Sequence, residues 1–140
     1  MTRIQHDLVI AAPVRRVYNA IATADGISTW WDKQTPVQTD RGLVLEHSPG
    51  EPHGVVRLRV VALVPDRRIE WECISTHPAV SPASAWTGTH FIFELKAPSA
   101  TTTWLHFQQT GYDETSPYFE ANLQAWGQVL QNLKRVVESQ

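Results

Sequence analysis

The sequence predicts an α+β fold: a curved antiparallel sheet with one long C-terminal helix laid across it. Two observations carry this. From Pro117 to about Glu138 the apolar residues Phe119, Leu123, Trp126, Leu130, Leu133 and Val137 recur at spacings of four and three, which on a helix of 3.6 residues per turn makes one continuous stripe. From Gln34 to about Gln109 the apolar period is instead mostly two, the mark of strands buried on one face. No other helical pattern matches the last one in length, so the stripe has to pack on the sheet.

The elements follow in order. Residues 3–11 alternate, with Ile4, His6, Leu8 and Ile10 on one face, and read as a half-buried strand. Pro13 is suited to a first helical position, and Val14, Val17, Tyr18 and Ile21 mark a short amphipathic helix behind it. Asp25 and Gly26 are expected to interrupt it before a second short helix carrying Ile27, Trp30 and Trp31. The tryptophan pair is expected to be structural, packing the short helices over one end of the sheet. Leu43–His47 predicts a strand, Ser48 to Pro52 a turn, and Gly54–Leu63 a second strand whose Val56, Leu58 and Val60 alternate with Arg57 and Arg59. After Pro65 and Asp66, Ile69, Trp71 and Cys73 alternate with Glu70 and Glu72, so a hairpin here would pair arginines and glutamates across its outer face. The two prolines of Thr76–Ala85 predict an irregular loop. Thr89, Phe91, Phe93 and Leu95, then Thr103, Leu105 and Phe107, define two more strands joined around Ala97 to Ala100. Ser116 and Pro117 supply an N-cap hydroxyl and a first-turn proline for the last helix. No repeat or linker interrupts the chain, which predicts a single domain over residues 1–140.

Composition narrows the function. At 140 residues and 42% apolar content, the chain is long enough to bury roughly 70% of its unfolded surface. The lone Cys73 excludes an intramolecular disulfide and a cysteine-based zinc cluster. A net charge of −2 with no basic run argues against nucleic acid as a partner. The polar start and the lack of a long apolar run predict a cytoplasmic protein without membrane insertion. Two histidine pairs, His47 with His53 and His90 with His106, sit where hairpins could bring them together, but a third ligand is missing from the pattern. No metal site and no cofactor are therefore expected.

The inward faces define the candidate site. Val56, Leu58, Trp71, Phe91, Phe93, Leu105 and Phe107 on the strands face Phe119, Leu123 and Trp126 on the helix. Such a set builds either a packed core or the wall of a cavity. Gly127 removes a side chain beside that stripe, which close helix–sheet packing or open space would both explain. Gln109 and His6 continue the inward faces and could each bond a ligand. Neither a nucleophile elbow nor an inward carboxylate is present, so no catalytic residue is assigned. A cyclase would need none, since a dry pocket holding a reactive chain folded can suffice.

A family resemblance adds to this reading. Ala11, Ala12, Pro13 and Val14, then Val17 and Tyr18, then Asp25, Gly26, Ile27, Trp30 and Trp31 resemble the N-terminal signature of the activator of heat-shock protein 90 ATPase homologue-like proteins. Trp126 and Gly127 in the last helix are similar to that family's glycine-tryptophan helix with the two residues reversed, and Asp40, Arg41 and Gly42 stand where the family has a proline-glycine-glycine turn. The resemblance implies the START/Bet v 1-like (SRPBCC) helix-grip fold. It also implies a small hydrophobic or aromatic ligand, a lipid or polyketide for example, in a cavity between sheet and helix, which the inward faces assigned above would line with Val56, Leu58, Trp71, Phe91, Phe93, Phe107, Gln109, Phe119, Leu123, Trp126 and Gly127. A cyclase or aromatase using the same pocket, with Gln109, His6 or Tyr112 polarising a carbonyl, is the alternative. A chaperone partner is suggested by the family's name alone, and a homodimer is compatible with it.

Overall fold

The computed structural model describes residues 2–50, 53–113 and 115–140. Seven strands form one antiparallel sheet in the order β1-β7-β6-β5-β4-β3-β2. They are β1 (Thr2–Ile10), β2 (Thr35–Thr39), β3 (Gly42–His47), β4 (Val56–Val64), β5 (Arg68–Cys73), β6 (His90–Ser99) and β7 (Thr102–Tyr112). Five successive antiparallel connections build the sheet from β2 to β7, and β1 closes onto β7 with His6 opposite Phe107 and Leu8 opposite Leu105. The chain therefore has to cross from one sheet edge to the other between β1 and β2, and α1 (Val14–Ala22) and α2 (Ala24–Ile27) make that crossing. The C-terminal helix α3 (Phe119–Glu138) lies on the same face and buries Trp126, Leu130, Leu133 and Val137, the stripe read from the sequence. This is the helix-grip architecture.

Several elements depart from expectation. Asp25 and Gly26 lie within α2, because the Thr23 hydroxyl accepts from the Gly26 N–H at 3.0 Å and opens the turn just before them. The helix then stops at Ile27, and Trp30 and Trp31 follow in turns whose N–H groups reach back to the Ile27 carbonyl at 3.1 and 2.9 Å. Gly26 is required there, since a Cβ would stand 2.4 Å from the Asn19 carbonyl oxygen of α1. Strand β2 is masked in the sequence by its proline and its mostly exposed residues. It pairs with β3 through a two-residue turn, Asp40 and Arg41, closed by Gly42 at φ 100°, a backbone that glycine adopts without a steric penalty.

Ser116 does not cap α3 directly. Its hydroxyl accepts from the Tyr118 N–H at 3.2 Å, so Ser116 and Pro117 form a turn that precedes the helix, which begins at Phe119. A short 3-10 turn (Pro82–Ala85), capped by the Ser81 hydroxyl, interrupts the loop expected to be irregular. The turn at Ser48 to Pro52 ends on residues outside the described ones. On the outer face Arg59 pairs with Glu72 at 2.8 Å as expected, whereas Arg57 pairs with Glu46 of β3 at 3.0 Å. His90 and His106 are not neighbours: the register sets His90 opposite Thr110 and His106 opposite Glu94. Each imidazole instead bonds a carboxylate, Glu70 and Asp7 respectively, at 2.6 Å.

Candidate functional site

The alternation of β4 to β7 aims Val56, Leu58, Trp71, Phe91, Phe93, Leu105, Phe107 and Gln109 at α3, where Trp126 meets them. The rings interlock. Phe107 stacks on Trp126 with centroids 4.6 Å apart, Phe93 lies 5.0 Å from Phe107, and Trp71 lies 4.9 Å from Phe93. Val56, Leu58, Phe91, Phe93, Phe107 and Gln109 are 0% exposed, so no gap large enough for a water molecule adjoins them.

The space above them is taken by a residue whose place in the sequence predicts a structural role alone. Trp31, half-buried, projects from the α2–β2 connection into the aromatic wall. Its ring centroid stands 4.6 Å from His47, 5.0 Å from Trp126, 6.1 Å from Trp86 and 6.2 Å from Trp71, on which it stacks. Leu123 and Phe119 are half-buried beside this wall, and Phe119 meets Tyr112 edge-on at 5.4 Å. Gly127 marks close packing, the first of its two explanations. A Cβ there would lie 3.2 Å from the His6 ring, whose Nε2 bonds the Leu123 carbonyl at 2.8 Å. That carbonyl can only accept, so His6 carries its proton on Nε2 and donates it to the helix backbone.

Polar atoms inside the wall are less well served. Gln109 donates from Nε2 to the Thr89 hydroxyl at 2.9 Å, and Thr89 donates to the Trp86 carbonyl at 2.6 Å. Gln109 Oε1, Trp86 Nε1 and Trp126 Nε1 are buried and have no hydrogen-bond partner among the described residues. They share one neighbourhood. Phe91 is the cross-strand partner of Gln109, and its ring lies 5.2 Å from Trp86 and 5.5 Å from Trp126. Each such group left unpaired costs about 1–3 kcal/mol. Tyr112 is not in that position, because its hydroxyl accepts from the Asn122 carboxamide.

His47 lies on the far side of Trp31. Leu43, Leu45 and His47 alternate on the inward face of β3, and His47 is 4% exposed opposite Val56. Its Nδ1 meets Gln34 Oε1 at 3.1 Å. Burial holds the imidazole pKa down at about 4, opposed by Asp32 and assisted by His77, so the ring is neutral at neutral pH. The expected partner His53 turns elsewhere, with Nδ1 2.6 Å from the Ser81 hydroxyl. Among the described residues no three His, Cys, Asp or Glu side chains gather to hold a metal ion. Period-two alternation is the signal that places His47 in the interior. Trp31 carries no such signal, since it sits between elements.

The opposite, convex face has its own surface feature. A groove of about 500 Å³ runs along β1, β7 and β6, lined by Asp7, Val9, Glu94, Lys96, Trp104 and His106. Val9 and Trp104 face each other in register and are 59% and 52% exposed. No helix of the described residues is long and apolar enough to cross a membrane.

Comparison with solved structures finds the same fold at low identity. The Aha1 dimer from Colwellia psychrerythraea is 24% identical, with 99% of this chain and 97% of that one covered and a TM-score of 0.81. A protein from Mesorhizobium loti is 18% identical over 99% of this chain and 98% of its own, with a TM-score of 0.77. The di-domain ARO/CYC protein BexL of the BE-7585A biosynthetic pathway is 18% identical over 99% of this chain and 47% of its own, with a TM-score of 0.74. No curated protein sequence matches. The family described as Activator of Hsp90 ATPase homolog 1-like protein matches residues 11–138.

Proposed function

The chain belongs to the Activator of Hsp90 ATPase homolog 1-like family, and from that premise we propose that it binds a small, flat aromatic molecule bearing a carbonyl between the sheet and α3. One observation carries the reading: two indole N–H groups and one amide oxygen lie buried around Phe91 with no partner among the described residues. A ligand carbonyl accepts from Trp86 or Trp126, and a ligand hydroxyl donates to Gln109. Because the strand residues are packed without gaps, the ligand enters by displacing the half-buried indole of Trp31 and stacking in its place against Trp71, Trp86 and Trp126. The fold shared with the ARO/CYC protein supports a ligand of this class. Leu123, Phe119 and the inward strand residues form the apolar part of the contact, and Gly127 acts indirectly, by seating His6 against the helix.

The cyclase alternative now rests on Gln109 alone, since His6 is committed to the Leu123 carbonyl and Tyr112 to Asn122. A protein-interaction role, as a homodimer or with a chaperone, is favoured by a separate observation, the exposed pair Val9 and Trp104 beside the convex groove.

Fluorene and 9-fluorenone differ only in a carbonyl and test the ligand reading. Fluorenone should raise the melting temperature by several degrees near saturation and quench tryptophan fluorescence, with fluorene weaker. If neither compound shifts the melting temperature or the fluorescence, the interior is a core and not a site.

A further inference from the structure

We propose that His47 is a ligand-reading residue of this interior site, accepting a hydrogen bond from an aromatic hydroxyl, so that the ligand class is a phenol. The inference rests on the ligand-binding reading above and adds to it the group on the ligand that the β3 side of the site recognises.

Gln34 sets the chemistry. Its Nε2 donates to the Asp32 carbonyl at 2.8 Å, which leaves Oε1 facing His47. An amide oxygen only accepts. His47 Nδ1 must therefore carry the proton, and a neutral imidazole has one proton to place. Nε2 is left as a bare acceptor, and no described residue donates to it. The ring that carries it is almost wholly buried on the inward face of β3.

The position of that nitrogen relative to Trp31 supplies the rest. The indole of Trp31 is tilted by 59° against the imidazole with centroids 4.6 Å apart. The same indole borders Trp126 and Trp86, whose N–H groups lie unpaired among the described residues. A flat molecule taking the place of the Trp31 ring thus has donors on one side and a fixed acceptor on the other. A ring hydroxyl matches the acceptor: it donates to His47 Nε2. The Gln34 bond fixes the tautomer, so the lone pair is presented without rearrangement.

The matched pair 2-naphthol and 2-methoxynaphthalene tests this in the full-length protein by fluorescence titration. The native protein should bind 2-naphthol about tenfold more tightly, the size of one hydrogen bond to a buried group. In His47→Phe the ether should keep its affinity and the preference should vanish, and Gln34→Leu, which frees the tautomer, should shrink it. The native protein gives an independent reading by nitrogen NMR, with the His47 Nε2 resonance shifting on addition of 2-naphthol and not of the ether. Equal affinities in the native protein, or a preference that survives in His47→Phe, would overturn the role of His47 and leave the ligand-binding reading standing. If neither naphthalene binds, the phenol assignment falls, and the fluorenone titration alone decides the ligand-binding reading.

Discussion

Replacing Gly127 by leucine distinguishes a helix roofing open space from one seated on the sheet. The two pictures give opposite results. Beside a void, the leucine would gain helix propensity, about 1 kcal/mol relative to glycine, and the protein would be at least as stable as before. The structure says otherwise: even a Cβ comes within 3.2 Å of His6 Cε1, and the imidazole is pinned by its bond to the Leu123 carbonyl. The larger side chain has to push His6 aside, which forfeits that bond, about 1 kcal/mol, and adds an overpacking cost of about 1–3 kcal/mol. Set against the propensity gain, the net loss is about 1–3 kcal/mol, a fall in melting temperature of roughly 3–12 °C for a chain of this length. Urea unfolding of the native protein, Gly127→Leu, His6→Ala and the double variant closes a thermodynamic cycle. In the His6→Ala background the vacated volume accepts the leucine, and a coupling energy of about 1–3 kcal/mol should appear. A Gly127→Leu protein as stable as the native one, with no coupling to His6, would refute the reasoning.

Other predictions follow from the same interior. Trp31→Ala should destabilise the protein by about 2–4 kcal/mol, below or near the usual loss for a fully buried tryptophan, while tightening fluorenone binding severalfold because the ligand no longer competes with an indole; unchanged or weaker binding in a folded variant would mean that Trp31 does not occupy the site. His47 should make stability depend on pH with a defined sign. Its folded pKa of about 4 lies below the ordinary histidine value of 6.5, so the unfolded chain takes up a proton that the native one refuses, and stability falls as pH drops from about 6.5 to 4, by roughly 3 kcal/mol in total. Unfolding curves of the native protein and His47→Phe across that range check it, since the variant should lack this slope while sharing the carboxylate losses of Glu70 and Glu138 at lower pH.

The layers of this fold are legible in the sequence and their joints are not, for physical reasons. Strands β4 to β7 and helix α3 carry strong periodicity because each buries one face along much of its length, as Ile69, Trp71 and Cys73 do on β5. Strand β2 carries none: it is an edge strand with mostly exposed side chains, held by backbone pairing to β3. The inward aromatic residues are legible for the same reason as the strands. Trp31 is not, because its place depends on where a short connection turns, and turns leave no period. Gly127 is legible as an anomaly on the helix but not in meaning, since contact and void both call for a missing side chain. His47 can be read from its alternation with Leu43 and Leu45, yet its nearness to His53 in sequence points as readily to metal ligation.

The energetics of the interior point past a structural role. A core selected for stability alone fills its volume with side chains that bring no polar atoms. Phe91, Phe93, Phe107, Leu58 and Val56 fit that description, fully buried and interlocked. The ring of residues touching Trp31 and Phe91 does not. Trp86, Trp126 and Gln109 each bury a polar atom with no partner among the described residues. Phenylalanine or leucine at any of these positions would remove a cost of about 1–3 kcal/mol while keeping most of the apolar contact. Their grouping matters more than their number. All three residues lie around one wall, beside a large side chain, Trp31, that is only half-buried and comes from a connection, not from the sheet or α3. Unpaired polar atoms scattered through a core would be ordinary imperfections. Collected beside one half-buried indole, two donors and one acceptor are what the proposed reading needs for a flat molecule with a carbonyl and a hydroxyl, with His47 as its further acceptor on the β3 side.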